Sequence, residues 1–329
     1  MRLAISIGIS PRQSLNSWAS LAHELERAGV GRLWLIDSQL AMKDVYAGLL
    51  LAAQKTERME LGTGVTNPLT RHPTVTACSI AAVAEVSGGR ALLGIGAGDS
   101  AVYGIGQRPA RVAQVEASLS FFRGVLASGA GEWAGHRYTL PHLSARVPVW
   151  LAASQHRMCA LAGRLADGVI LMGPAEVSHV TRQVGWVLEG LHQSGRQRRE
   201  IEISLITTVS SKPDRQAALA DVRSWASAQA RLIADFAELP AGLDGFRNEI
   251  QQAKKSYDFS RHLSRHAGHQ SAVSDGLTAA LAVAGNPAEC AFRLRELGAT
   301  GVDGFIFPLL GGGRLERLKK LSEEVLARL

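Results

Sequence analysis

The feature that most constrains this chain is an alternation repeated eight times: a short apolar run suited to a strand, then a longer stretch with helical spacing. The strand-like runs fall at 2–8, 32–36, 59–65, 91–95, 147–152, 168–172, 201–209 and 304–307. Helical stretches follow at 15–28, 45–55, 73–86, 110–126, 157–164, 177–192, from 215 onward, and at 315–326. Strands that alternate with helices need crossover connections, and crossovers give parallel pairing. A doubly wound sheet would have fewer strands and a phosphate-binding turn after the first, which is absent. The expected fold is therefore α/β, a (β/α)8 TIM barrel forming one domain over 1–329. The stretch from about 235 to 297 is longer than one connection requires. It is expected to insert extra helices between strands seven and eight, over or beside the barrel mouth.

With 329 residues, 46% of them hydrophobic and 20% charged, the chain can bury a large core in one unit. Its net charge of +7 comes from scattered Lys and Arg, and no nucleic-acid module is recognisable. Those charges are read as solvated helix faces, with a share that attracts an anionic cofactor; no nucleic-acid partner is expected. No run of 18 apolar residues suggests a membrane span, and the N-terminal run reads as a first strand rather than a secretory signal. Cys78, Cys159 and Cys290 are widely separated and odd in number, so neither a disulfide framework nor a C-x-x-C metal site is expected. Those features point to the cytoplasm.

Residues just after each barrel strand face the catalytic mouth. Here they are Asp37, Gly64-Val65-Thr66-Asn67, Gly96-Ala97-Gly98-Asp99-Ser100, Ala153-Ser154-Gln155-His156 and Met172-Gly173. Glycine and small polar residues dominate, as they must where backbone approaches a flat ring and a phosphate. The glycines at 94–98 do not make a dinucleotide fingerprint, because Asp99 stands where the third glycine belongs and the run follows strand four. Asp37 and Asp99 are the candidates for proton-handling or ring-polarising carboxylates, since partial desolvation favours the protonated acid. For Asp99 a helix N-cap is the competing reading.

Other residues carry weaker signals. His262, His266 and His269 share helical spacing, but no carboxylate or cysteine accompanies them and no metal is expected. His72 either touches a phosphate or packs, and His156 is placed to meet a cofactor tail. Gly311-Gly312-Gly313 reads as a phosphate loop or as a flexible connection. Trp34 is expected in the core, and Trp133 and Tyr138 at a substrate or subunit contact.

The block Leu61-Gly62-Thr63-Gly64-Val65-Thr66-Asn67-Pro68-Leu69-Thr70-Arg71-His72-Pro73, followed by Gly88-Gly89-Arg90 and Gly94-Ile95-Gly96-Ala97-Gly98-Asp99, resembles the bacterial-luciferase-like superfamily. Within it the nearest likeness is to the methylene-tetrahydromethanopterin reductases, which use coenzyme F420. Ala152-Ala153-Ser154, Ala166-Asp167-Gly168, Gly285-Asn286-Pro287 and Leu297-Gly298-Ala299-Thr300-Gly301-Val302 fit the same pattern. The resemblance implies a ring held at the C-terminal mouth, with Ser6, Gly64, Val65, Thr66, Asn67, Gly96, Gly98 and Gly173 around it. It also implies a non-prolyl cis bond at Gly64-Val65, and a phosphate tail held by Ala153, Ser154, Gln155 and His156. For Ser154 an ordinary helix cap is the alternative.

Two departures bear on the substrate. Ser6 stands where the reductases carry a proton-donating Glu, and Asp37-Ser38-Gln39 stands where many relatives have Asp-His. A hydroxyl of ordinary pKa does not replace a carboxylic acid as proton donor. The implied activity is hydride transfer between F420 and an electrophilic C=N, C=C or C=O group of a small molecule or modified peptide. The alternatives are an FMN-dependent monooxygenase fed by a separate flavin reductase, and a flavin-binding protein without turnover. Similar proteins are commonly homodimers.

Overall fold

Apolar runs that are buried on both faces become strands of a parallel sheet covered by helices. In the computed structural model, which describes residues 3–259 and 268–329, eight such strands close into a barrel. They are β1 (Ala4–Ile7), β2 (Arg32–Leu35), β3 (Glu60–Thr63), β4 (Ala91–Ile95), β5 (Val149–Ala153), β6 (Gly168–Leu171), β7 (Glu202–Ile206) and β8 (Gly304–Pro308). Neighbours follow chain order around the ring, and β8 closes onto β1. Ser6 lies opposite Trp34, and Trp34 opposite Gly62, so these three share the inner face. The eightfold alternation is thus a barrel.

Two tryptophans fill the interior. Trp34 and Trp150 meet edge-to-face with ring centroids 5.2 Å apart, and Trp34 is 1% exposed. A Cβ at Gly62 would lie 2.6 Å from the Trp34 ring, and one at Gly168 would lie 2.3 Å from that of Trp150. Large side chains fit here because neighbouring strands present none, which is how a small barrel reaches close packing.

The outer helices begin and end on local signals. Ser14 Oγ accepts from Ser17 N at 3.1 Å and Asp44 Oδ1 from Ala47 N at 2.9 Å, starting Leu15–Arg27 and Val45–Lys55. Pro73 opens Pro73–Ser87, and Gly88 at φ 65° closes it. No helix among the described residues is long and apolar enough to cross a membrane.

The chain divides into two compact units, Met1–Ile170 with Trp186–Ile203 and Leu171–Gly185 with Ser204–Leu329. The second contains its own apolar cluster. There Ala226, Ala230 and Ile233 of helix Arg215–Ile233 pack with Ile250, Ala253, Leu277 and Leu281 from helices Arg247–Ser256 and Asp275–Leu281.

Four details depart from the periodicity. The run 201–209 splits, because Thr207 N still bonds Ile306 O of β8 while the Thr208 carbonyl accepts from Val283 N. Beyond that point Val209–Ser211 pairs with Val283–Gly285 in a separate two-stranded sheet. The polar connection before β5 is an antiparallel hairpin, Ala130–Trp133 with His136–Thr139, turned by Ala134 and Gly135 at positive φ. The 235–297 stretch holds that short strand as well as helices, and its last helix, Pro287–Gly298, is capped by Asn286 and leads toward β8. The final helix is regular only over Arg314–Lys320 and continues as a π turn. His262 and His266 lie outside the described residues, as does the side chain of His269.

Candidate active site

At the C-terminal ends of the strands in the first unit, β3 leaves the barrel in a bulge. The Gly64-Val65 peptide bond is cis, as the resemblance implied. Gly64 N donates to Leu35 O at 2.7 Å, Thr66 N to Gly94 O at 2.9 Å and Gly96 N to Thr66 O at 2.9 Å. The chain therefore loops out at 64–65 and rejoins β4 at Thr66. Val65 lies against the β4 glycines. A Cβ at Gly96 would come 3.1 Å from Val65 Cγ2, and one at Gly94 would come 2.1 Å from the Thr63 carbonyl oxygen. Gly98 has φ +94°, and a Cβ there would meet Val102 Cγ2 at 2.4 Å. Asn67 is buried, and its Oδ1 accepts from Leu69 N and Thr70 N, both at 3.0 Å. That oxygen shapes the loop.

Asp37 is the most buried carboxylate at this end, with its side chain 2% exposed. Its Oδ2 accepts from Arg71 Nη1 at 2.6 Å, while Arg71 Nη2 reaches Asp44 Oδ2 at 3.2 Å. The guanidinium also lies 5.1 Å from the centre of the Tyr46 ring. Burial disfavours the Arg71 charge, but the hydrogen bond and charge of Asp37, together with Tyr46 and Asp44, outweigh it and the pKa is raised. Burial and then the Asp37 charge raise the Tyr46 phenol, against the pull of Arg71 and the nearby Thr66 and Thr76 hydroxyls. None of those three hydroxyls completes a hydrogen bond of good geometry, and Thr70 Oγ1 and Gln39 Oε1 are likewise buried without one.

The loops after β2 and β4 are tied together. Ser38 Oγ and Ser100 Oγ are 2.8 Å apart, and Gln39 Nε2 donates to Ala101 O at 2.5 Å. Asp99 precedes helix Ser100–Tyr103 in the N-cap position, yet its side chain makes no capping bond. Ser6 is 3% exposed inside the barrel, and a buried hydroxyl there supplies no carboxylic acid.

After β5, the N-cap of helix His156–Leu165 is Gln155 rather than Ser154. Ala153 is buried at the strand end, and the first turn has no acidic residue. A helix start of this kind directs backbone N–H groups at an anion. His156 is half exposed, bonded through Nε2 to Glu189 at 2.8 Å and packed on Trp186 with centroids 5.5 Å apart. His72 caps its helix, with Nδ1 accepting from Thr74 N at 3.3 Å. Trp133 and Tyr138 anchor the hairpin on Phe121, with centroids 6.0 and 6.2 Å away.

Gly173 belongs to the second unit. Its φ is +149°, and a Cβ there would meet His179 Nε2 at 2.8 Å. His179 is 4% exposed; burial, helped by Arg182, lowers its pKa to about 4. Arg71 and His179 were not singled out from sequence. Arg71 stood within the quoted block four residues after Asn67, but nothing local signalled its partner 34 residues earlier. Among the described residues, no group of three or more His, Cys, Asp or Glu is placed to hold a metal ion.

Comparison with known proteins fits this geometry. The sequence profile of the family described as luciferase-like monooxygenase matches residues 3–304. The 5,10-methylenetetrahydromethanopterin reductase of Methanolobus tindarius is 27% identical, with 98% of this chain and all of that protein aligned. The solved coenzyme F420 dependent tetrahydromethanopterin reductase from Methanopyrus kandleri superposes with TM-score 0.77 at 22% identity, over 99% of both chains. The oxygenating constituent of 3,6-diketocamphane monooxygenase from Pseudomonas putida, solved with FMN, gives TM-score 0.68 at 17% identity, over 100% of this chain and 99% of that one. At these identities the two structures support the fold alone.

Proposed function

The chain belongs to the luciferase-like monooxygenase family, and from that premise we propose that it is an oxidoreductase moving hydride between coenzyme F420 and an electrophilic C=N, C=C or C=O group. The end-to-end likeness to a methylenetetrahydromethanopterin reductase carries this reading. The residues fit a planar ring. Val65 is partly exposed, a Cβ at Gly96 would lie only 3.4 Å from that of Ala152, and Ala153 follows, so small side chains would leave a flat apolar floor. Gly64, Val65, Thr66, Gly96 and Gly98 would back the ring, while Ala153, Ser154 and Gln155 would hold the tail through the helix start. His156 would border the tail.

When bound, the deazaflavin would supply or accept the hydride. The chain's own part is orientation, water exclusion and charge. Asp37, fixed by Arg71, would act as a steady negative charge that polarises the ring. Asp99 would hold or release the substrate proton at its carboxylate, since Ser6 inside the barrel does not replace an acid. The substrate would then be a pterin-like imine or an activated double bond in a small molecule or modified peptide.

The family's description favours a second reading, an FMN-dependent monooxygenase supplied by a flavin reductase. Titration of the purified protein with F420 and, separately, FMN, followed by fluorescence, decides between them. Micromolar or tighter F420 binding with much weaker FMN binding upholds the reductase or dehydrogenase. The opposite order moves the protein to the oxygenases, and binding of neither leaves a flavin-free barrel. Homodimerisation is proposed through helix Pro73–Ser87, where Val75, Cys78 and Val86 are exposed; light scattering tests it. The free thiols of Cys159 and Cys290 fit a reducing compartment such as the cytoplasm.

A further inference from the structure

The loops after β2 and β4 meet at the mouth of the first unit, and each carries a candidate carboxylate, Asp37 or Asp99, one residue before the meeting point. The β2 loop is anchored on several sides. Arg71 Nη1 holds Asp37 at 2.6 Å, Met42 N donates to Ser38 O at 2.8 Å and Lys43 N to Ile9 O at 3.0 Å. Met42 also lies against Gly8, where a Cβ would come 2.6 Å from its Sδ.

The β4 loop begins as a short turn. Asp99 has φ −142° and ψ −109°, outside any regular element, between Gly98 at φ +94° and a helix of four residues, Ser100–Tyr103. A single helical turn fixes many dihedrals for few hydrogen bonds and needs support from outside. Beyond it, residues 104–108 are exposed. Two side chains of the β2 loop reach the start of this turn. Ser38 Oγ and Ser100 Oγ are 2.8 Å apart, with either able to donate, and Gln39 Nε2 donates to Ala101 O at 2.5 Å. Ser38 is 2% exposed, so water competes little for its hydroxyl.

We infer that Ser38 and Gln39 are positioning residues for Asp99. Consecutive residues of one loop grip consecutive residues of the other, Ser38 to Ser100 and Gln39 to Ala101, which fixes the turn that carries Asp99 relative to Asp37. This rests on the reading of Asp99 as the group that handles the substrate proton. A displacement of about 1 Å at a reacting group can cost about a hundredfold in rate, so the two bonds matter to chemistry beyond what they add to stability.

The test is a pH titration of the aspartate carboxyl groups in the full chain, followed by NMR with isotope-labelled aspartate; Asp99→Asn and Asp37→Asn identify the two signals. Ser38→Ala is expected to move the Asp99 midpoint by about half a pH unit or more, because the carboxyl changes its surroundings. F420 affinity should stay within about threefold. Ser100→Ala should give the same movement, and the double variant no more than either alone, since both remove one shared bond. Ser100→Thr, which keeps the hydroxyl, should hold the parent value. Gln39→Met breaks the other bond and is read in the same way if Ser38→Ala does not fold. An Asp99 midpoint that stays put in folded Ser38→Ala or Gln39→Met overturns the inference. So does an equal movement of the Asp37 midpoint, which would show a general loosening of the mouth. No F420 binding by the parent protein would sink the cofactor assignment, while the titration still decides on the two bonds.

Discussion

The two ends of the strands in the first unit use charge in opposite ways. At the N-terminal end, Arg32 is 5% exposed and closed on both sides: Nε donates to Glu60 Oε2 at 2.6 Å and Nη1 to Glu202 Oε1 at 2.7 Å. Its guanidinium also lies over Trp150, 4.6 Å from the ring centre. Arg90 nearby donates to the carbonyls of Ala53, Thr56 and Met59, satisfying the end of helix Val45–Lys55. Glu26 accepts from Glu57 N, Arg58 N and Met59 N. At the C-terminal end, by contrast, one ion pair, Asp37 with Arg71, sits among buried hydroxyls and an amide oxygen that lack good partners. A native interior rarely leaves polar atoms unmatched without a reason. Among the described residues, one end pairs its charges within the fold, while the other keeps several buried polar atoms without such partners.

If that contrast is sound, substitutions should sort by readout as well as by size. Arg32→Ala should cost the most, about 3 kcal/mol of stability, because it removes a buried guanidinium packed on Trp150 and leaves the partly exposed Glu60 and Glu202 without their shared partner. Denaturant unfolding measures it, and cofactor affinity of the folded fraction should not move. Asp99→Asn should do the reverse, lowering kcat about a hundredfold with stability nearly unchanged. Equal losses of turnover and cofactor affinity would show that Asp99 binds rather than moves a proton. Asp37→Asn should fall between, with about 2 kcal/mol lost on weakening the bond to a half-buried arginine, visible in both melting and turnover. An effect on melting alone would erase the distinction between the ends.

Two smaller changes sharpen the comparison. Gly96→Ala presses a methyl on Val65 and should weaken F420 binding roughly tenfold for about 1 kcal/mol of stability. Glu26→Gln should act only through pH. Burial alone would raise the Glu26 pKa, but bonds from Arg58, Met59 and Glu57 N–H groups outweigh it and leave it below 4.5. A carboxylate whose folded pKa is depressed contributes stability that is present above pH 4.5 and lost as pH falls below it. The variant should flatten that part of the acid-unfolding curve, by under about 1 kcal/mol for so open a group.

Much of this is legible in the sequence. The eight strands and the starts of their helices rest on periodicity and on caps such as Ser14 and Asp44, which are properties of neighbouring residues. Gly64, Gly96 and Gly98 were legible as places where backbone must come close. The chain itself determined a parallel barrel with small residues at its strand ends, because that signal repeats within about ten residues at a time. Only the tertiary structure decided which groups meet there. Arg71 finds Asp37 across 34 residues, Arg32 finds Glu202 across 170, and the Thr208 carbonyl turns to Val283. Such pairings depend on strand register and on how the barrel closes, and no local window of sequence contains either.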